Sequence, residues 1–157
     1  MAGYKVVEVT RLRFWTLIRR SQVKAIDSLR QQLKPTTTVT YWYLAWMLMF
    51  SATRMFVAVS PGQGGKIIGV ALLVSNPVLG GRRDSLEEIV VDPLERGQGV
   101  GKALAIRVAL ESQARGARDI SLMVAHDNPA AQSLYDDLDF ERLNDRSMMR
   151  RTFRALS

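Results

Sequence analysis

The sequence predicts a single α/β domain spanning residues 1–157, and three observations carry that expectation. The length of 157 residues suits one domain, and 47% of them are apolar, enough to build one core. Short β-rich runs alternate with longer segments whose apolar residues recur at helical spacing. Neither an internal repeat nor a low-complexity stretch interrupts that order.

Taken along the chain, KVVEVT (5–10) is short and β-branched, which suits an edge strand, and Thr10 is placed to cap the next helix. That first helix is expected from about Arg11 to Leu33, with Trp15, Ile18, Ile26, Leu29 and Leu33 forming its apolar stripe. Lys34-Pro35 stops it, and a second helix is expected from about Thr40 to Ala52. Its aromatics Tyr41, Trp42, Tyr43, Trp46 and Phe50 cover more than one face, so this helix is buried in the core or lines a pocket or partner surface. RMFVAVS (54–60) and KIIGVALLVSN (66–76), joined by Pro-Gly-Gln-Gly-Gly, read as a β-hairpin. The segment from Leu79 to Asp84 reads as a loop, and SLEEIVV (85–91) as a strand ended by Asp92-Pro93. Helical spacing returns from Val100 to Gln113, closed by Gly116. DISLMVA (119–125) is a further strand, Asp127-Asn128-Pro129 starts a last helix, and residues 140–154 read as two short strands.

Composition narrows the chemistry. Without cysteine there are no disulfides, thiolate nucleophiles or cysteine-held metals, and the single histidine, His126, excludes histidine-rich metal sites. No metal is expected. A net charge of +7, from 22 Lys and Arg against 15 Asp and Glu, favours an anionic partner such as a phosphorylated cofactor or nucleic acid. The N-terminal residues contain no apolar run of signal-peptide length, so a cytoplasmic location is expected. The uncharged stretch 35–53 is strongly apolar only from Tyr41 to Phe50, short of the roughly 20 residues a membrane span needs, so no membrane association is expected.

The most informative segment is EEIVVDPLERGQGVGKAL (87–104), a strand passing through a glycine-rich loop into a helix. Gly97, Gly99 and Gly101 let the backbone approach a ligand at the positive end of the helix, a natural phosphate site. The dinucleotide spacing G-x-G-x-x-G fails, because the third glycine would have to stand at Lys102 or Leu104. The P-loop fails as well, since Arg96 and Ala103 occupy its Gly and Ser/Thr positions. Arg96-Gly97-Gln98-Gly99-Val100-Gly101 instead resembles the R/Q-x-x-G-x-G/A pyrophosphate arm of the GNAT superfamily of acyl-CoA-dependent N-acetyltransferases. A second stretch, Asn128 to Phe140 (NPAAQSLYDDLDF), is similar to that superfamily's N-x-x-A-x-x-L-Y-x-x-L-G-F signature, departing from it at Asp139 where Gly is usual.

The resemblance implies a GNAT-like mixed, mostly antiparallel central sheet with helices on both faces and splayed strands at an acyl-CoA site. The strand holding Ile89, Val90 and Val91 would part from the strand at 119–125, with pantetheine in the gap. Amides of Arg96, Gly97, Gln98, Gly99, Val100, Gly101 and Lys102 would hold the pyrophosphate of acetyl-CoA, and Asn128 would bind the pantetheine region or fix the last helix start. Acetyl transfer to an amine needs a neutral nucleophile, a polarised thioester carbonyl and a proton for the leaving thiolate. Tyr135 stands at the family's general-acid position, and main-chain N–H groups around Ile89 to Val91 would polarise the carbonyl. Glu87 and Glu88 lie on opposite strand faces unless a bulge intervenes, and Glu87 is favoured as the base because it resembles an acidic residue of some diamine acetyltransferases. Another subgroup's glutamate is Met123 here, and His126 could contact the acceptor or relay a proton.

The expected activity is direct acetyl transfer from acetyl-CoA to a primary amine of a small molecule, protein or peptide. Its rival is a noncatalytic acyl-CoA-binding or interaction module built around the aromatic helix. Within the enzyme class, Arg142, Arg146, Arg150, Arg151 and Arg154 leave open an aminoacyl-tRNA acceptor, a nucleic-acid partner. Exposed edge strands and the aromatic helix favour a homodimer.

Overall fold

The computed structural model describes residues 3–33 and 38–144, in two compact units, one ending at Met123 and a shorter one beginning at Val124. The first unit runs β1 (Lys5–Val9), α1 (Arg11–Leu17), α2 (Arg20–Gln31), α3 (Tyr41–Phe50), β2 (Thr53–Ser60), β3 (Lys66–Val78), β4 (Gly81–Val91), α4 (Val100–Ala114) and β5 (Asp119–Ser121). Its five strands form one sheet in the order β1-β2-β3-β4-β5. The first three pairings are antiparallel and β4–β5 is parallel, giving the mixed, mostly antiparallel sheet expected.

Strand alternation distributes the side chains between two helical layers. Val9, Met55, Val57, Ile67, Val70 and Val90 pack with Phe14, Ile18, Ile26, Leu29, Leu44 and Leu48 of the first three helices and their junctions. On the other face, the Arg107 guanidinium of α4 lies 5.5 Å from the Phe56 ring centroid. Gly69 belongs to that face too: a Cβ there would come within 3.0 Å of Leu104 Cδ1, 3.2 Å of Val100 Cγ1 and 3.3 Å of the Val90 carbonyl oxygen. The missing side chain is what lets α4 lie against β3.

Three elements differ from the sequence expectation. The helix expected over 11–33 is broken at Ile18 and Arg19, both in extended backbone. Gln22 Oε1 accepts the Arg19 N–H at 2.8 Å and so starts a new helix, a capping contact with no Ser or Thr to announce it. The expected loop Leu79 to Asp84 is mostly strand, because β3 and β4 continue to a tight turn at Leu79-Gly80. An ion pair holds this extension: Arg82 donates to both oxygens of buried Asp84 at 2.8 Å and to Ser75 Oγ at 2.7 Å. Burial alone would raise the Asp84 carboxyl, yet hydrogen bonds from Arg82, Ser112 and Ser75 and the guanidinium charge hold it below the ordinary carboxylate range. Finally, the strand expected over 119–125 stops at Ser121.

The second unit contains α5 (Pro129–Asp136), capped by the Asn128 side chain, whose Oδ1 accepts the Ala131 N–H at 3.1 Å. Asp139 comes after it with φ 59°, the left-handed backbone expected where the family has Gly, and one that Asp adopts more readily than most residues. Of the strand pair expected over 140–154, residues 140–144 carry no regular structure, and the remainder lies outside the described residues.

Candidate active site

The site is organised by a bulge in β4. Leu72 pairs with Glu87 and Val70 with Val90, so Glu88 and Ile89 together stand opposite Ala71. Glu88 takes φ 47°, a costly conformation for a residue with a side chain and one that bends the strand. The bulge also decides where the two glutamates go: both Glu87 and Glu88 line the same groove.

Past the bulge, β4 offers its backbone to an open edge. β5 pairs only with Arg83, Asp84 and Ser85, so among the described residues no strand covers Leu86–Val91 on that side. The Asp92 N–H donates to the Ile68 carbonyl at 2.8 Å. Backbone groups alternate in direction along an antiparallel strand, so the N–H and C=O of Val91 point toward the open edge. Its carbonyl accepts Arg96 Nε at 3.4 Å.

The adjoining loop is fixed from both ends. Lys66 Nζ donates to Asp92 at 2.8 Å, and the other Asp92 oxygen accepts the Leu94 N–H at 3.1 Å. The lysine contact, then the Leu94 amide, hold the Asp92 carboxyl below its ordinary range. Arg96 donates to Gln32 Oε1 at 2.6 Å, tying the loop to the end of α2. Gln98 Nε2 bonds the Leu94 carbonyl at 3.3 Å and Glu95 at 3.1 Å. The side chains of Arg96 and Gln98 thus brace the loop from within.

Gly97 (φ 75°) and Gly99 (φ 78°) take left-handed backbone, and Gly99 caps α4 with no side chain on the cap. The first-turn amides of Val100 and Gly101 have no i−4 acceptor within the helix. A Cβ at Gly97 would meet nothing within 4 Å, and one at Gly99 would meet only Tyr4 Oη, at 3.5 Å. A diphosphate can therefore approach this backbone closely, which fits the acetyl-CoA pyrophosphate the sequence suggests.

The groove holding the two glutamates has a volume of about 720 Å³ and lies between α2, α3 and the β2–β4 face. Leu44 and Met47 of α3 turn inward, whereas Tyr43 and Trp46 line the groove with ring centroids 6.3 Å apart and planes at 29°. α3 is thus partly core and partly pocket wall. Arg30 and Met47 also line the groove, neither singled out by the sequence. A surface arginine and a core methionine look alike at helical spacing whether or not they border a cavity.

The second unit holds the remaining candidates. Tyr135 is buried, packed edge-on to Phe140 at 5.6 Å, and burial pushes its phenol up to about 12. Asn128 is the α5 cap. His126 is exposed in a turn, its carbonyl accepting Gln132 Nε2 at 2.9 Å. Of the tail arginines, Arg142 pairs with Asp136 at 2.8 Å, and the other four lie outside the described residues.

Comparison with known proteins agrees with this architecture. An uncharacterized N-acetyltransferase of Methanocaldococcus jannaschii is 32% identical over 103 residues, 64% of this chain and 44% of that protein. N-acetyltransferase family 8 member 2 of Rattus norvegicus is 33% identical over 83 residues, 51% of this chain and 36% of that one. The chain matches less than half the length of these relatives. Among solved structures, an aminoglycoside acetyltransferase from an uncultured soil metagenomic sample superposes with TM-score 0.79 at 14% identity, covering 97% of each chain. A Trypanosoma brucei acetyltransferase gives TM-score 0.75 at 22% identity, covering 95% of this chain and 99% of that one. The sequence model of the GNAT acetyltransferase family matches residues 22–140, more than half of the sequence, and the chain belongs to that family.

Proposed function

We propose that this chain is a single acyltransferase domain that moves an acetyl group from acetyl-CoA to a primary amine by direct attack. The supporting observation is the continuity of the β4 bulge, the uncovered edge through Val91 and the α4 glycine loop. One strand thereby borders both an anion cradle and a groove with two carboxylates.

Backbone amides from Arg96 to Lys102 bind the pyrophosphate, and Asn128 supports the pantetheine region. The amides of Ile89, Val90 and Val91 include the donor that polarises the thioester carbonyl, and that of Val91 is aimed at the open edge. Glu87 holds the acceptor amine and takes its proton, directly or through water. The amine nitrogen then bonds to the carbonyl carbon as the carbon–sulfur bond breaks, and Tyr135 stabilises the departing thiolate by donating a hydrogen bond, the thiol finally keeping one proton. Metal plays no part in these assignments.

The test is release of CoA thiol from acetyl-CoA by the full chain against a panel of primary amines, with acetylated amine measured in parallel. Equal amounts of both products support transfer. Tight acetyl-CoA binding with no turnover on any amine would instead identify a noncatalytic acyl-CoA-binding module.

A further inference from the structure

The groove beside the β4 bulge has a polarity that selects among amines. Its volume of about 720 Å³ suits a small molecule. Most of its wall is apolar, from Leu33 and Val39 through Met47 and Met55 to Leu72 and Val74. Tyr43 and Trp46, 56% and 57% exposed, stack on each other with planes at 29°, an aromatic edge of the groove against which an apolar body can pack. Among the described lining residues the only carboxylates are Glu87 and Glu88, adjacent in sequence and brought to one groove by the bulge, and the only cation is Arg30.

We infer that the acceptor is a monocationic aralkylamine, an aromatic or broad apolar body carrying one primary amine and no carboxylate beside it. This inference rests on the acetyltransferase reading and refines it. The ammonium is drawn to the two carboxylates, where loss of its proton makes it the nucleophile, while its apolar body lies against Trp46 and the Met47 wall. A polyamine or aminoglycoside would have to bury further ammonium groups along an apolar wall. An α-amino acid would bring its carboxylate against Glu87 and Glu88.

The test measures kcat/KM of the full chain for 2-phenylethylamine, phenylalanine, spermidine and sisomicin at saturating acetyl-CoA. The expected result is a preference for 2-phenylethylamine of at least about tenfold over each of the others. Trp46→Ala should raise its KM about tenfold while the KM for acetyl-CoA stays unchanged. Phe50→Ala, which alters a still more exposed aromatic of α3 outside the groove lining, should leave both values unchanged. Tyr43→Ala serves as an independent second variant, and melting temperatures on the same preparations show that each folds. Faster turnover of spermidine, sisomicin or phenylalanine, or an unchanged 2-phenylethylamine KM in folded Trp46→Ala, overturns the aralkylamine assignment and leaves the transferase reading standing. Acetyl-CoA binding without turnover of any amine overturns both.

Discussion

In the proposed reaction three acidic or phenolic side chains, Tyr135, Glu87 and Glu88, would carry the chemistry, and each can be tested alone. The Tyr135 phenol, pushed up to about 12 by burial, is protonated at every working pH. A free thiol ionises near 8.5, well below this phenol, so complete transfer of the phenolic proton to a CoA thiolate would be uphill. Tyr135 therefore acts best as a hydrogen-bond donor to charge developing on sulfur, with the proton arriving finally from solvent or from the amine. Tyr135→Phe keeps the ring and its packing on Phe140 while deleting the donor. Its kcat should fall on the order of 10²-fold with acetyl-CoA affinity nearly unchanged. A normal kcat under conditions where chemistry limits the rate would make Tyr135 a packing residue. Glu87→Gln should slow turnover most at low pH, where the alkylamine is most fully protonated, and raising the pH should partly restore the rate. Because the bulge turns Glu88 into the same groove, Glu88→Gln should chiefly raise the amine KM. Equal kcat losses in the two variants would mean that neither is the dedicated base.

At the scale of elements, the local signals and the long-range ones separate clearly. Thr10 does cap α1 and Thr40 caps α3, their hydroxyls accepting the Arg13 and Tyr43 amides, and Asn128-Pro129 starts α5 as its sequence suggests. The glycine loop was legible because left-handed backbone at a helix start has few sequence solutions. By contrast, the bulge sits at Glu88, a residue with no preference for positive φ, and arises from the register β3 imposes. The long β3–β4 hairpin depends on Asp84 meeting Ser112 of α4, a contact no local pattern encodes. Removing that charge takes from the part-exposed Arg82 its charged partner and leaves it Ser75, a loss of about 1–3 kcal/mol. Asp84→Asn should thus lower the melting temperature at pH 7 by about 5 °C. The folded Asp84 and Asp92 carboxyls lie below their unfolded values, so their stabilisation is complete above the unfolded pKa and is lost as pH falls through the folded one. Melting temperature should hold from pH 8 to 5 and drop below about pH 4, and Asp84→Asn should flatten that drop. An equally steep acid loss in the variant would place the sensitivity elsewhere.

For the whole molecule, the sheet would join the two halves of the proposed reaction, since β3 carries α4 on one face and the groove with the two glutamates on the other. Gly69 is where these demands meet. Its absent side chain allows Val100 and Leu104 to seat α4, and α4 in turn fixes the amides that would grip pyrophosphate. Leu104 Cδ1 can rotate aside for an added methyl group, but the Val90 carbonyl at 3.3 Å belongs to the backbone just past the bulge. Gly69→Ala should therefore destabilise the fold by about 1–3 kcal/mol, the usual cost of overpacking, and should also weaken acetyl-CoA binding by displacing the loop. Acetyl-CoA at 100 times its Kd should add about 2.7 kcal/mol to the wild-type fold, raising its melting temperature by roughly 5–10 °C. In Gly69→Ala the apparent melting temperature should be lower without ligand and the ligand-induced rise smaller at the same concentration. Gly99→Val, which forces a β-branched residue into φ 78° at the helix cap, should abolish the rise in protein that still melts cooperatively. An undiminished rise in folded Gly99→Val would remove the α4 loop from the binding site. A full rise in Gly69→Ala, together with the expected stability loss, would show that α4 packing and cofactor binding are energetically separate.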